Sequence, residues 1–287
     1  MTIEQLLPLG LAFIMLSIGL GLRAEDFSRV FRHPVPMGVG LINQILLLPL
    51  IGAGLVLLYD GRPEFAIGLM ILAASPGGIT SNLLTTLAGG NAALSVSMTA
   101  LASLASIVTV PIILGLTQIL LPGNVQEITM PVGRIMAGIL VITGLPIALG
   151  MGLVHWRPGW ANWLRPKARL LATILFALIV AGAFVGQMDN ISRYFTDIGP
   201  YVAALNMGTM GLGLLAARGL RLNGPDSIAI CLESGLQNAA LAIFVATTLL
   251  GEPMMVVPAI IYALIMNITA GLFLLRVRGQ AVSPSAL

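Results

Sequence analysis

The sequence is short of charge. Only 9% of its 287 residues are Asp, Glu, Lys or Arg, whereas 57% are hydrophobic and the mean hydropathy is +1.00. A typical soluble domain carries about 25% charged residues, so this chain has too little polar surface to face water. It also lacks any long polar or low-complexity stretch that would form a soluble domain or a linker. The function must therefore lie within a membrane.

Cysteine and histidine are scarce as well. The single cysteine, Cys231, excludes an internal disulfide and a multi-cysteine metal site, and we interpret it as a small packed residue. The two histidines, His33 and His155, lie at segment ends beside basic loops. Neither a Gly-x-Ser-Gly nucleophile motif nor a His-Glu-x-x-His zinc motif is present. These absences argue against an enzyme, and no cofactor is expected.

What the chain has instead is a series of apolar runs of about 20 residues, each able to cross about 30 Å of hydrocarbon as a helix. The first run is not interpreted as a secretory signal, because "MTIEQ" lacks a positive n-region. The sequence predicts an all-α polytopic membrane protein with nine transmembrane helices, at residues 5–22, 35–59, 65–88, 92–121, 132–154, 168–187, 198–217, 227–250 and 254–275.

Arginine and lysine are distributed unequally between alternate loops. Because cytoplasmic loops collect these residues, the larger group predicts the inner face, with the N-terminus outside and the C-terminus cytoplasmic. The topology thus accounts for the net charge of +3, and no nucleic-acid partner is expected. The larger group is Arg23, Arg29, Arg32, Arg157, Arg165, Lys167, Arg169, Arg218, Arg221, Arg276 and Arg278; the smaller is Arg62, Arg134 and Arg193.

The third segment is interrupted at its midpoint by "SPGG", residues 75–78. Each half, residues 65–74 and 79–88, would form about 15 Å of helix, half the hydrocarbon thickness. Proline removes a backbone donor and glycine permits unusual backbone conformations, so the pattern predicts two half-helices joined by an unwound stretch. Unwound backbone at this depth needs polar neighbours, and Ser81 and Asn82 follow at once.

The eighth segment, residues 227–250, contains "ESGLQN" near its middle. Glu233 is its only acidic or basic side chain, and a carboxylate at such depth costs at least about 2.5–3.5 kcal/mol, which marks a functional site. A protonated Glu233 that is hydrogen-bonded to a neighbouring helix is the structural alternative. The adjacent Gln237 and Asn238 favour the functional interpretation.

The two interrupted segments match each other in pattern. Residues 81–82 superpose on residues 237–238, each pair after a glycine-containing break, and each segment is preceded by one with central amides, Asn43-Gln44 and Asn206. The charge count gives the two segments opposite directions, so the halves form an inverted repeat. Paired broken helices in inverted halves are typical of the midplane sites of secondary transporters.

The motifs "SPGGITSNLLTTLAGGNAALSVSMT" and "ESGLQNAALA" resemble those of the bile acid:sodium symporter (BASS) family. Its members carry Pro-Gly-Gly…Ser-Asn in one crossing helix and Glu-x-Gly-x-Gln-Asn in the other. The resemblance runs from "GLGLRAEDFSRVFRHP" to "IMNITAGL", nearly the whole chain. It implies two broken helices that cross in a core domain beside a panel domain, within one transport unit of residues 1–287. The core would comprise residues 35–121 and 198–275, and the panel residues 5–22 and 132–187.

The same resemblance implies two sodium ions behind the crossing, the only coupling ions expected. Carboxylate, carboxamide, hydroxyl and carbonyl oxygens are ligands that hard cations prefer. Taken singly, the hydroxyl residues and Gln44 would more often be packing or interhelical hydrogen-bonding residues. The first ion would be held by Ser81, Asn82, Ser95, Thr99 and Glu233, and the second by Gln44, Glu233, Gln237 and the carbonyls of Ser234 and Leu236.

A substrate cavity would lie on the panel side of the crossing. The resemblance places Ile79, Thr80, Asn238 and Asn267 there, and amides at a helix N-terminus suit a carboxylate. Asn267 alone could equally be an interhelical amide. Bacterial relatives often have threonine at Ile79 and histidine at Met266, so substrate contacts are less polar in this chain.

The implied function is sodium-coupled import of an organic anion, bile acid or other carboxylate, by alternating access in the plasma membrane, the inner one in bacteria. Three alternatives stay open. One is a proton-coupled carrier in which Glu233 titrates. Another is an arsenite efflux permease of similar architecture, which would use a cysteine in a broken helix. The third is a receptor that binds a ligand without moving it.

Overall fold

The computed structural model describes residues 3–28, 32–120 and 131–281. All the regular elements in these ranges are helices, and the expected all-helical fold is confirmed. In chain order they are α1 (Ile3–Gly19), α2 (Ala24–Phe27), α3 (Pro34–Leu57), α4 (Pro63–Ala74), α5 (Ile79–Leu87), α6 (Ala92–Leu120), α7 (Val132–Trp156), α8 (Pro158–Gly186), α9 (Met188–Gly219), α10 (Gly224–Gly235), α11 (Ala239–Leu249) and α12 (Val256–Ala281), with a short 3-10 helix, Pro253–Met255, before α12.

Six of the described helices are long and apolar enough to cross a membrane, namely α3, α6, α7, α8, α9 and α12. The other three predicted spans contain shorter apolar helices, at Leu7–Gly19, Pro63–Ala74 and Ala239–Leu249. The chain is therefore a polytopic membrane protein, while the count of nine spans stays a prediction. Arg29 and residue 121, which entered the charge count and the fourth span, lie outside the described residues.

Two helices begin well before their predicted spans. Helix α8 begins at Pro158 and α9 at Met188, each ten residues before the spans predicted at 168 and 198. The added turns of α8 include Trp160, Trp163, Arg165 and Lys167, and those of α9 include Asp189, Asn190, Arg193 and Asp197. Hydropathy marks the part of a helix that hydrocarbon can cover, so it misses turns that continue past the hydrocarbon.

Three helices contain a π-helical turn, at Asn43–Leu47 in α3, Leu140–Gly144 in α7 and Val245–Leu249 in α11. In α3 and α7 a proline follows closely, Pro49 and Pro146. A proline inside a helix removes one backbone hydrogen bond and crowds the preceding turn, and a widened turn relieves that crowding. Such turns occur often at functional sites, and the one in α3 includes Gln44.

Both interrupted segments are buried among other helices. Every residue of α4 from Phe65 to Ala74 is buried, and so is each residue of Ala239–Phe244 in α11. A helix that is apolar all round must be covered by other helices. By contrast, α8 exposes leucines along one face, as a helix that faces lipid does. The fold thus encloses the two breaks.

Candidate functional site

The two breaks cross and bind each other through their backbones. The Gly78 N–H donates to the Leu236 carbonyl at 3.0 Å, and the Asn238 N–H donates to the Pro76 carbonyl at 2.8 Å. Gly77 and Gln237 face each other in this short antiparallel pair. Each unpaired backbone group in hydrocarbon costs several kcal/mol. The breaks can therefore lie deep in the protein, because each one supplies hydrogen-bond partners for backbone groups of the other.

Gly77 leaves room for a carboxylate at the crossing. A Cβ atom on this residue would lie 2.0 Å from Glu233 Oε1, closer than any side chain can approach. Gly77 thus provides more than backbone freedom, because it also lets the second segment place its one charge against the first.

The carboxylate cluster consists of Ser81, Asn82, Ser95, Thr99 and Glu233, all of them buried. Ser95 Oγ donates to Glu233 Oε2 at 2.8 Å, and Thr99 Oγ1 to Glu233 Oε1 at 2.5 Å. The same two hydroxyls lie 2.8 Å and 3.3 Å from Asn82 Oδ1. Ser81 Oγ donates to the Gly78 carbonyl at 2.6 Å, and its hydroxyl also interacts with the Glu233 carboxylate. The structure thus brings all five residues together around the carboxylate, with Ser81 also bonded to the adjoining break.

The amide cluster consists of Gln44, Ser234, Leu236 and Gln237. Gln44 Nε2 donates to Gln237 Oε1 at 2.6 Å and to the Ser75 carbonyl at 3.1 Å. Gln237 Nε2 donates to the Ser234 carbonyl at 2.8 Å, and the Leu236 carbonyl accepts the N–H of Gly78. Side-chain and backbone oxygens from three segments therefore converge beside the crossing.

Glu233 was expected in both groups. The hydroxyls that contact its carboxylate are those of Ser81, Ser95 and Thr99, which all belong to the carboxylate cluster. Its link to the amide cluster is the backbone, since Ser234 follows it directly. The partners are neutral hydroxyls, so they orient the carboxylate without balancing its charge.

Four further residues hold the second break in place and were not among the candidate ligands. Asn206 Nδ2 and Tyr262 Oη both donate to the Gly235 carbonyl, at 2.8 Å and 2.9 Å. Thr269 Oγ1 donates to Asn206 Oδ1 at 2.6 Å, and Asn43 Nδ2 donates to Ser234 Oγ at 2.5 Å. The central amides Asn43 and Asn206 were a usable signal in the sequence. Tyr262 and Thr269 gave none, because they look like ordinary membrane-helix residues.

The four residues expected to contact the substrate differ in burial and in hydrogen bonding. Thr80 Oγ1 and Asn238 Nδ2 are buried atoms without a hydrogen-bond partner, and each lies at the start of a second half-helix. Asn238 Oδ1 accepts the Leu241 N–H at 3.0 Å and so caps α11. Ile79 is buried, whereas Asn267 is exposed and donates to the Ala263 carbonyl of its own helix at 2.6 Å. No hydrogen bond joins Asn267 to the other three residues in the described part of the chain.

Fold and site together define a class: a multi-pass membrane protein with two interrupted segments that cross beside a buried carboxylate. Comparison with known proteins gives the family. Residues 8–194 match the model of the sodium bile acid symporter family. The chain belongs to this family, as its two motifs predicted, and the family is one of sodium-dependent transporters.

Individual relatives agree with this assignment. Over 257 residues the chain is 30% identical to "Probable sodium/metabolite cotransporter BASS2, chloroplastic" of Oryza sativa subsp. japonica, covering 89% of this chain and 59% of that protein. Over 271 residues it is 29% identical to "Uncharacterized sodium-dependent transporter YocS" of Bacillus subtilis (strain 168), covering 94% and 82%. Arabidopsis thaliana "Probable sodium/metabolite cotransporter BASS1, chloroplastic" is 28% identical over 271 residues, covering 92% and 65%. The chain thus spans about three fifths to two thirds of the length of these plant relatives.

Proposed function

We propose that this chain imports an organic anion together with sodium ions by alternating access. The observation that carries the proposal is Glu233, a buried carboxylate whose hydrogen-bond partners are neutral hydroxyls. An unbalanced buried charge is expensive, and proteins pair such a charge or give it a cation. A sodium ion at the carboxylate cluster would supply that positive charge.

The first sodium ion would bind within the carboxylate cluster. Ser95, Thr99 and Asn82 already turn oxygens toward one another and toward Glu233. Oxygen-only ligands suit a hard cation. The hydroxyl hydrogens that now bond to the carboxylate would rotate away, since a hydroxyl can donate to one partner and present its lone pairs to another.

The second sodium ion would bind at the amide cluster, with the side-chain oxygens of Gln44 and Gln237 and the carbonyls of Ser234 and Leu236. Glu233 would contribute to it through the negative charge one residue before Ser234. Binding of one ion would lower the cost of the buried charge and order the crossing for the other. This coupling between sites is reciprocal in free energy.

The organic anion would bind on the opposite side of the crossing, near Ile79, Thr80, Asn238 and Asn267. The unpartnered Thr80 hydroxyl and Asn238 amide support this placement, because a buried polar atom without a partner in the free protein gains one when a ligand binds. The amides of the first turn of α5 would favour a carboxylate. Bile acids, other steroid acids and smaller carboxylates are the classes to test.

Movement would occur between two parts of the chain, the core of residues 35–121 and 198–275 and the panel of residues 5–22 and 132–187. The inverted repeat would allow the crossing to open toward either face in turn. In the plasma membrane, with the N-terminus outside, two sodium ions and one monovalent anion would carry one net positive charge inward. This gains about 2.3 kcal/mol per 100 mV of membrane potential, so transport would be electrogenic.

The direct test is uptake into proteoliposomes that contain the purified protein. A thermal-shift screen of carboxylates, sulfonates and steroid acids, with and without sodium, first identifies a ligand whose stabilisation depends on sodium. Uptake of that ligand should require a sodium gradient and should rise with an inside-negative potential. Equal uptake with potassium in place of sodium would contradict the coupling. If that uptake instead followed a proton gradient, Glu233 would titrate and the chain would be a proton-coupled carrier.

A further inference from the structure

All three tryptophans of the chain lie in one short stretch at the junction of α7 and α8. Trp156, Trp160 and Trp163 are 77%, 73% and 61% exposed. Exposed tryptophans in a membrane protein lie at the level of the lipid head groups, where the ring meets both apolar and polar surroundings. The stretch from Trp156 to Lys167, called here the tryptophan segment, therefore contacts the membrane interface.

The length of α8 also places the tryptophan segment at the membrane interface. Helix α8 has 29 residues, about 43 Å, whereas hydrocarbon is about 30 Å thick. Its exposed apolar residues continue from Leu170 along one face to Leu178 and beyond. The hydrocarbon-spanning part therefore begins near Leu170, and the preceding turns lie among head groups. Pro166, inside the helix, is the kind of residue at which helices bend.

The tryptophan segment carries only positive charge. Arg157, Arg165 and Lys167 lie in it and Arg169 follows, and no Asp or Glu occurs between residues 128 and 188. Lys167 Nζ lies 3.2 Å from the centre of the Trp163 ring, so a cation is fixed on the exposed aromatic face. Arg165 Nε donates to the Leu20 carbonyl at the end of α1, and its Nη2 is buried without a partner. Clusters of cations at the interface attract acidic lipids.

A cleft beside the tryptophan segment helps to locate the ligand. It has a volume of about 800 Å³ and is lined by Trp156 and Asn162 on one side and by Arg23, Glu25 and Asp26 on the α2 side. The two carboxylates of α2 disfavour a phosphate inside the cleft. The exposed surface of Trp160, Trp163 and Lys167 has no such opposing charge within its own stretch.

We propose that the tryptophan segment is a binding site for the head group of an acidic phospholipid. The phosphate would contact Lys167 beside Trp163, with the acyl chains along the leucines of α8. Arg157 lies ten residues earlier, roughly 15 Å away along the helix axis, and would add to the attraction for the acidic head group. Because Arg165 connects α8 to the end of α1, a bound lipid would also hold these two helices at a fixed depth.

The site contains its own probe, since no tryptophan lies elsewhere in the chain. The protein is placed in nanodiscs of phosphatidylcholine with a fixed small fraction of brominated lipid, either phosphatidylglycerol or phosphatidylcholine, and tryptophan fluorescence is recorded. We expect the neutral brominated lipid to need an about fivefold higher concentration than the acidic one to give the same quenching. High salt should reduce this difference between the two lipids. Equal quenching by the two lipids would overturn the proposal without any variant.

Variants identify the cations. The double substitution Arg157→Gln and Lys167→Gln should remove the preference for the acidic lipid, while Arg134→Gln and Arg193→Gln, at cations far along the chain, should retain it. Retention of the preference by the Arg157/Lys167 variant would overturn the assignment to this surface. Inorganic phosphate at millimolar concentration should leave the quenching unchanged. Loss of the quenching in the presence of phosphate would mean that the site binds a soluble anion, which would also overturn the proposal.

Discussion

The two breaks have the same backbone arrangement and different side chains. Each donates one backbone N–H to the other, Gly78 to Leu236 and Asn238 to Pro76. The first break is made by proline and glycine and carries no charge. The second carries Glu233, and four side chains outside it, Asn43, Asn206, Tyr262 and Thr269, fix it from the side, directly or through another of the four.

This difference assigns separate tasks to the two halves. The first break provides backbone hydrogen bonds and space for the carboxylate, because the missing Cβ of Gly77 lets Glu233 come close. The second break offers charge and must be held more firmly, because a displaced carboxylate in a buried site loses its partners at high cost. Two breaks that pair reciprocally through their backbones can therefore differ in chemistry.

The largest expected effect comes from removing the charge of the second break. Glu233→Gln retains the shape and loses the negative charge that would bind sodium. Loss of one partner of a buried charge pair costs about 3–5 kcal/mol, so sodium affinity should fall at least about 100-fold. Sodium-dependent uptake should fall to background, and sodium should no longer raise Tm.

The matched control is Glu252→Gln. Glu252 lies just past the end of α11, outside the crossing, so its variant should keep the sodium response. If sodium raised the Tm of the Glu233 variant as much as that of the parent, Glu233 would be excluded as a ligand. The two breaks would then not differ in their contribution to sodium binding.

The next effect tests the first break. Gly77→Ala adds a methyl group 2.0 Å from Glu233 Oε1, so the carboxylate must move. Overpacking of this kind costs about 1–3 kcal/mol, and sodium affinity should fall about tenfold or more. Gly54→Ala is the control, since nothing lies within 4 Å of its added methyl. Equal sodium responses in the two variants would mean that Gly77 is needed only for the backbone conformation of the break and not for the position of Glu233.

The two breaks are predictable from the sequence because polar or irregular structure costs much free energy in a membrane. Proline, paired glycines and a lone carboxylate stand out against apolar neighbours, and residues 75–78 and Glu233 were identified for this reason. The pairing of the breaks needs three dimensions, since residues 76 and 238 are far apart in the chain. Tyr262 could not be found, because nothing in its surroundings along the chain distinguishes a buried hydrogen-bond donor from an interfacial aromatic residue.

A smaller effect tests how firmly the second break must be held. Tyr262→Phe removes one of the two hydrogen bonds to the Gly235 carbonyl, while that from Asn206 remains. A single hydrogen bond contributes about 0.5–1.5 kcal/mol, so sodium affinity should fall about 2–10-fold. Tyr201→Phe removes a bond to the Leu58 carbonyl, away from the crossing, and should leave sodium affinity unchanged. Equal affinities in both variants would show that the extra contacts are not needed for ion binding.

An effect of similar size, on the substrate and not on sodium, separates the two faces of the crossing. Thr80→Val replaces a buried hydroxyl that has no partner with a methyl group of similar size. In the absence of substrate the variant should be as stable as the parent or slightly more so, because an unpaired buried hydroxyl costs free energy. Sodium affinity should be unchanged, whereas the KM for the organic anion should rise about 2–10-fold, the value of one hydrogen bond.

Thr86→Val is the matched control for this change, since the Thr86 hydroxyl is already satisfied by the Asn82 carbonyl at 2.8 Å. Its KM should stay the same. If Thr80→Val stabilised the protein and left KM unaltered, the hydroxyl would face packed protein and not substrate. The anion would then depend on Asn238 at the second break, and the second half would supply both the charge for sodium and the polar contact for the substrate.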